Sequence, residues 1–346
     1  MRNPGATWTA FIVALVLKWI GASWDISWHF RQTNDVGSPA HTINIIGNTL
    51  LALTLVWAWR TRSPDERRPL IVVAVGLGLA AFAIPLDITW HKLFGLDLTT
   101  WSPTHLVLFG GTAVMCSGLA WLAMAQAGWR PGTSLRDLNL TRGRWVLAAF
   151  LLARTLSVVL FPAVFNEYAG VAAENHASGY AIYPIADDIK DFIATREDLP
   201  YDDLPHLLYP AYTLAIVIVA SAIIRRVSGL PYLATALAAF YVATRVISDG
   251  ILGATDWPVA AIPFQHILVA FATDACATLA ASRPLRAGLG AAIGGLAAYA
   301  YWALADDVVY TVPLDWDTLP WALAIALMAS VADWWRWGPV TPAQAP

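Results

Sequence analysis

Charge is what this sequence has least of. Only 13% of its 346 residues are Asp, Glu, Lys or Arg, against 58% hydrophobic, and the mean hydropathy is +0.56. Soluble domains carry about 25% charged residues, and no soluble core needs so much apolar chain. There is no basic tract, and a formal net charge of −3 offers no footing for nucleic acid. Cysteine is nearly absent. Cys116 and Cys276 both lie inside apolar segments, which excludes a disulfide-stapled secreted fold and any CxxC metal or redox motif. Methionine is scarce too, with four in all. A copper conduit would use more of these thioethers, whose softness suits Cu(I).

Long apolar runs are what the chain has instead. A spanning helix needs about 20 apolar residues. Ten runs qualify: 7–30, 40–59, 69–94, 104–127, 144–166, 206–224, 230–252, 263–281, 286–307 and 319–335. The expected fold is all-α, a polytopic membrane bundle of about ten transmembrane helices forming one integral domain over 1–346. The first run resembles a signal peptide. A motif at its end recurs at the end of the third run, so it reads as retained. One set of loops holds Arg60, Arg62, Arg67, Arg68, Arg130, Arg136, Arg142, Arg144, Arg225, Arg226, Arg283 and Arg286, and the termini add more arginines. The opposite loops are acidic. The positive-inside rule then places both termini in the cytoplasm of a multi-pass cell-membrane protein, with the acidic loops outside. Tryptophans near segment ends suit an interfacial belt. One outer loop, 169–204, is long and acidic, and reads equally as a solvated surface or a cation-collecting lid.

Two stretches of this chain repeat. Asp25-Ile-Ser-Trp28-His29 followed by Ser38-Pro39-Ala-His41 matches Asp87-Ile-Thr-Trp90-His91 followed by Ser102-Pro103-Thr-His105. Each spans the outer end of one helix, a loop and the start of the next. Asp and His four residues apart share a helix face. Ser then serves as N-cap and Pro as the first helical residue, so the last His falls in the first turn. Each hairpin can thus bring a carboxylate and two imidazoles to its mouth. Fainter copies pair Glu167 with His206, Asp249 with His266, and Asp307 with Pro320-Trp321. Five hairpins follow, at about 7–60, 68–128, 144–226, 230–282 and 286–337.

Two histidines and a carboxylate form a metal first shell with open positions for water, oxygen or substrate. The predicted ligands are Asp25, His29, His41, Asp87, His91 and His105, with Glu167, His206, Asp249 and His266 as a possible further site. The ligand types admit copper, iron or zinc. The competing reading is an Asp–His hydrogen-bond network tying hairpins together. A lone His such as His176, in a polar loop, reads as satisfied by backbone or water. Trp28, Trp90 and Trp101 read as pocket walls or interfacial anchors. Within the spans, Arg245 and Asp249 are spaced to pair, Asn44 and Asn48 extend the face of His41 inward, and Asp274 lies deeper on the face of His266. Lys18 and Arg154 have no partner visible in the sequence.

The pattern Asp-x-x-Trp-His, a short loop, then Ser/Thr-Pro-x-His resembles the metal site in the C subunit of the particulate methane and ammonia monooxygenases. The resemblance covers about 20 residues per copy. It implies a copper site built from Asp87, His91 and His105, and equally from Asp25, His29 and His41. The resemblance further implies oxygen-dependent hydroxylation of an apolar substrate reached from the lipid bilayer, with an electron donor that this chain does not reveal. The motif occurs twice here, the span count exceeds that subunit's, and no soluble copper domain is visible. Two other functions fit the same residues. One is a transition-metal transporter or sequestering protein, to which the acidic mouth would draw cations. The other is a zinc-dependent lipid hydrolase with Glu167 or Asp249 as base.

Overall fold

The computed structural model describes residues 4–29, 37–61, 63–94, 102–128, 147, 151, 209–255, 257, 262–305 and 316–334. Apart from Leu147 and Leu151, the expected span 144–166 lies outside the described residues, as does the loop 169–204. The described residues are helical, with no strand among them. They form α1 (Pro4–His29), α2 (Pro39–Thr61), α3 (Pro64–Phe94), α4 (Pro103–Gln126), α5 (Tyr209–Ser228), α6 (Leu233–Ala254), α7 (Gln265–Ala277), α8 (Arg283–Ala305) and α9 (Leu319–Trp334). Six of these, α1, α2, α3, α4, α6 and α8, are long and apolar enough to cross a membrane, consistent with a multi-pass membrane protein.

Their surfaces agree with that reading. On α3, Ile71, Val75, Leu79, Phe82 and Leu86 form an exposed stripe at helical spacing, while Leu70, Val73, Leu77, Ala80 and Ala83 are buried. On α8, Leu285, Leu289, Ile293 and Leu296 do the same. A helix apolar on both its packed and its exposed face is suited to lipid.

The chain divides into two compact units, with α6 contributing its first half to one and its second half to the other. In the unit holding α1–α4, both helix pairs are antiparallel and cross closely at glycines. A Cβ on Gly47 of α2 would lie 2.9 Å from the Ala14 carbonyl oxygen and 3.1 Å from the Lys18 nitrogen. A Cβ on Gly111 of α4 would lie 2.8 Å from the Gly76 carbonyl oxygen and 2.7 Å from the Ala80 nitrogen. Counted back from the repeated aspartates and forward from the repeated histidines, these are equivalent positions. The two crossings share one register, and in each a small residue lets two backbones approach.

The pairs differ just below the mouth. Lys18 is buried in α1. Its Nζ donates to Asn48 Oδ1 at 2.6 Å and Asn44 Oδ1 at 3.2 Å on α2. The equivalent residues in the second pair are Ala80, Leu108 and Thr112, and Thr112 bonds back to its own helix at Leu108 O. The crossing therefore does not depend on the buried amine. Removing one partner of a buried hydrogen bond costs more than replacing all of them. The triple variant Lys18→Ala/Asn44→Leu/Asn48→Thr should stay within about 1 kcal/mol of the parent, whereas Lys18→Met alone should lose about 2 kcal/mol. Thermal unfolding in detergent reads the difference, and a triple variant no more stable than Lys18→Met would contradict it.

In the other unit, α7 packs against α5 and α8, and α9 against α5 and α8. Gly290 and Gly294 of α8 sit over Thr273 and Val269 of α7. Asp274, buried on α7, accepts from the Thr235 backbone N–H (2.9 Å), the Thr235 hydroxyl (2.7 Å) and Arg225 (3.2 Å). It thereby caps the first turn of α6 and ties three helices together. The helix α7 is shorter than the apolar run 263–281 suggests. Thr278 closes it, and Arg286 of α8 donates to the carbonyls of Ala277 and Leu279 at 3.0 and 3.4 Å. Those bonds satisfy C-terminal carbonyls that a longer helix would have used.

Candidate metal centre

The ends of α1 and α3 and the starts of α2 and α4 hold the repeated residues. Ser38 caps α2 and accepts the His41 backbone N–H at 3.1 Å. Ser102 does the same for His105 at 3.3 Å. These bonds fix each histidine in the first turn, as the Ser-Pro-x-His spacing predicts.

Each histidine then faces the aspartate of the preceding helix. His41 Nε2 lies 3.0 Å from Asp25 Oδ1, and His105 Nε2 lies 3.4 Å from Asp87 Oδ1. The first is a close approach rather than an aligned hydrogen bond, and the second is long for one. Two ligand atoms about 2.1 Å from a common ion, at tetrahedral or octahedral angles, stand about 3.0–3.4 Å apart. Both separations therefore fit two ligands of one metal. His29 and His91 occupy helical positions one turn beyond Asp25 and Asp87, and their side chains lie outside the described residues. Among the described residues, no three His, Cys, Asp or Glu side chains converge on one point.

The two mouths are not identical. At the second, the Thr104 hydroxyl donates to Asp87 Oδ1 at 2.7 Å and contacts the Ser102 hydroxyl at 3.3 Å. At the first, Ala40 stands where Thr104 would be. The first pair is also more open, with side-chain exposures of 27% for His41 and 21% for Asp25 against 11% and 15% for His105 and Asp87.

Aromatic rings cluster at the end of α1 that carries Asp25. Trp28 stacks on Trp257 (5.4 Å between centroids, 20° between planes), and Trp24 meets both edge-on. Trp90 packs on Phe94 at 4.4 Å. Trp101 lies outside the described residues.

Among the further candidates, Glu167 and His206 lie outside the described residues, as does Arg154. Asp249 pairs with Arg245 at 3.1 Å and with Ser248 at 3.3 Å, the i,i+4 pair that the spacing predicts. His266 is fully buried and stacks on Tyr241 at 5.6 Å, and among the described residues neither of its ring nitrogens meets a hydrogen-bond partner. Asp249 and His266 belong to different compact units. Sequence reasoning missed Thr104, Trp24, Trp257 and the partners of Lys18. Thr104 had a signal, since it is the variable residue inside an otherwise repeated Ser-Pro-x-His.

No protein-family model, no curated protein and no solved structure matches this chain.

Proposed function

We propose that this chain binds a transition metal, copper in first place, at each of two outer mouths and uses it to hydroxylate an apolar substrate with dioxygen. The observation carrying this reading is the same carboxylate–imidazole approach at two mouths of matching register. Asp25, His29 and His41 would hold one ion, and Asp87, His91 and His105 the other. The likeness of these sets to a copper monooxygenase motif selects the metal and the reaction class. In the full arrangement, ten spans form five hairpins, both termini are cytoplasmic and the mouths face outward.

Bound copper would supply the one-electron chemistry that lets dioxygen react with a C–H bond. The overall conversion consumes substrate, O2, two electrons and two protons, and yields an alcohol and water. An electron donor is therefore an obligate partner. The chain's own part is to orient ligands and receive substrate. The exposed apolar stripe on α3 suits contact with lipid, and the cluster of Trp24, Trp28 and Trp257 would give an apolar molecule a surface near Asp25.

The test is isotopic. Copper-loaded protein in lipid nanodiscs, given ascorbate, 18O2 and a liquid alkane, should form 18O-labelled alcohol. The His41→Ala/His105→Ala variant should form at least about tenfold less, since losing even an outer partner of a ligand typically costs that much. Copper bound without label in any product would overturn the hydroxylase and leave a metal-sequestering protein.

A further inference from the structure

We propose that the two mouths divide the work: the α1/α2 mouth holds an exchangeable metal open to incoming molecules, and the α3/α4 mouth holds a retained metal locked by Thr104. This rests on the metal reading above and goes beyond it.

Three observations separate the mouths. The first is the hydroxyl. Asp87 Oδ1, the oxygen that faces His105, accepts from the Thr104 hydroxyl at 2.7 Å, and Thr104 in turn contacts the hydroxyl of Ser102, which is wholly buried. Asp25 has Ala40 at that position, a residue with no group to donate. Outer partners that orient a ligand strengthen metal binding about 10- to 100-fold. The second is exposure. Both side chains of the first pair are more exposed than their counterparts, although the Asp25 Oδ1 atom itself is buried. The third lies beneath. Among the described residues, the first mouth alone continues inward into such a polar network, Lys18 with Asn44 and Asn48, about two helical turns or 10 Å below Asp25. The second pair crosses in the same register with Ala80 and Leu108 there, so packing does not require that network. Ionisable groups at such depth are expensive and characteristically functional.

Slow exchange at one mouth and fast exchange at the other suits a protein in which one ion organises the helices and the other meets ligands. Thr104 is a positioning residue in this scheme, acting through Asp87.

The experiment is a chelator challenge. Full-length protein loaded with copper(II) and diluted into excess EDTA should lose metal in two phases, separated about tenfold or more in rate. His105→Ala should keep only the fast phase, and His41→Ala only the slow one. Thr104→Ala should speed the slow phase severalfold while Thr104→Ser, which retains the hydroxyl, leaves it unchanged. Variants are compared only if they elute as the parent does. A single phase, a reversed assignment, or Thr104→Ser behaving as Thr104→Ala would overturn the division while leaving metal binding intact. A parent that takes up no copper would overturn the metal reading itself, and the division with it.

Discussion

Gly76→Ala should destabilise the protein by about 3 kcal/mol, at the upper end of what overpacking usually costs. An added Cβ would press against the Met115 nitrogen and stand 2.6 Å from the Gly111 carbonyl oxygen and 2.7 Å from the Met115 Cα. All three are backbone atoms of α4, so no side chain can swing aside. The helices must separate, and separation also weakens the crossing at Gly118, whose own Cβ would lie 2.7 Å from the Val73 nitrogen. Helices in lipid associate chiefly through close packing, so lost contact has little else to replace it. Gly78 supplies the control, because a Cβ there meets nothing within 4 Å. Gly78→Ala should be neutral or gain up to about 1 kcal/mol from helix propensity. Thermal unfolding of the two variants in the same detergent decides the matter, and equal midpoints would contradict the described crossing.

Much of this could be read from the residues because it is local. Apolar runs marked the six long spans, Ser-Pro-x-His marked the starts of α2 and α4, and the four-residue spacing of Arg245 and Asp249 marked a pair that forms. Local periodicity is written in the chain. Registers between helices are not. Lys18 finds Asn44 and Asn48 because Gly47 lets α2 approach α1 at that depth, and nothing beside Lys18 in the sequence announces it. Trp257 reaches Trp24 and Trp28 from a remote part of the chain. Asp274 was placed on the face of His266, yet its partners come from two other helices. The apolar run at 263–281 overstated α7 because the bonds that end it come from Arg286 on the next helix. The difference between the mouths was present in the sequence as one unmatched letter, Thr104 against Ala40. Its meaning depended on where the Asp87 carboxylate sits.

The second large effect concerns the metal. Asp25 with His41, and Asp87 with His105, are separated by distances suited to sharing an ion. If each set holds an ion as proposed, removing an imidazole from each would take away one of its ligands and leave too few groups to hold a metal against water. A purely structural Asp–His contact would respond differently, since its loss would lower stability without changing metal content. The decisive measurement is elemental mass spectrometry on detergent-purified protein offered copper, zinc and iron in turn, beside His41→Ala/His105→Ala eluting as the parent does. Copper retained by the parent at a level approaching one ion per mouth, and lost from the variant, is the predicted result. A parent that retains none of the three metals, or a variant that retains as much as the parent, would contradict the metal centre.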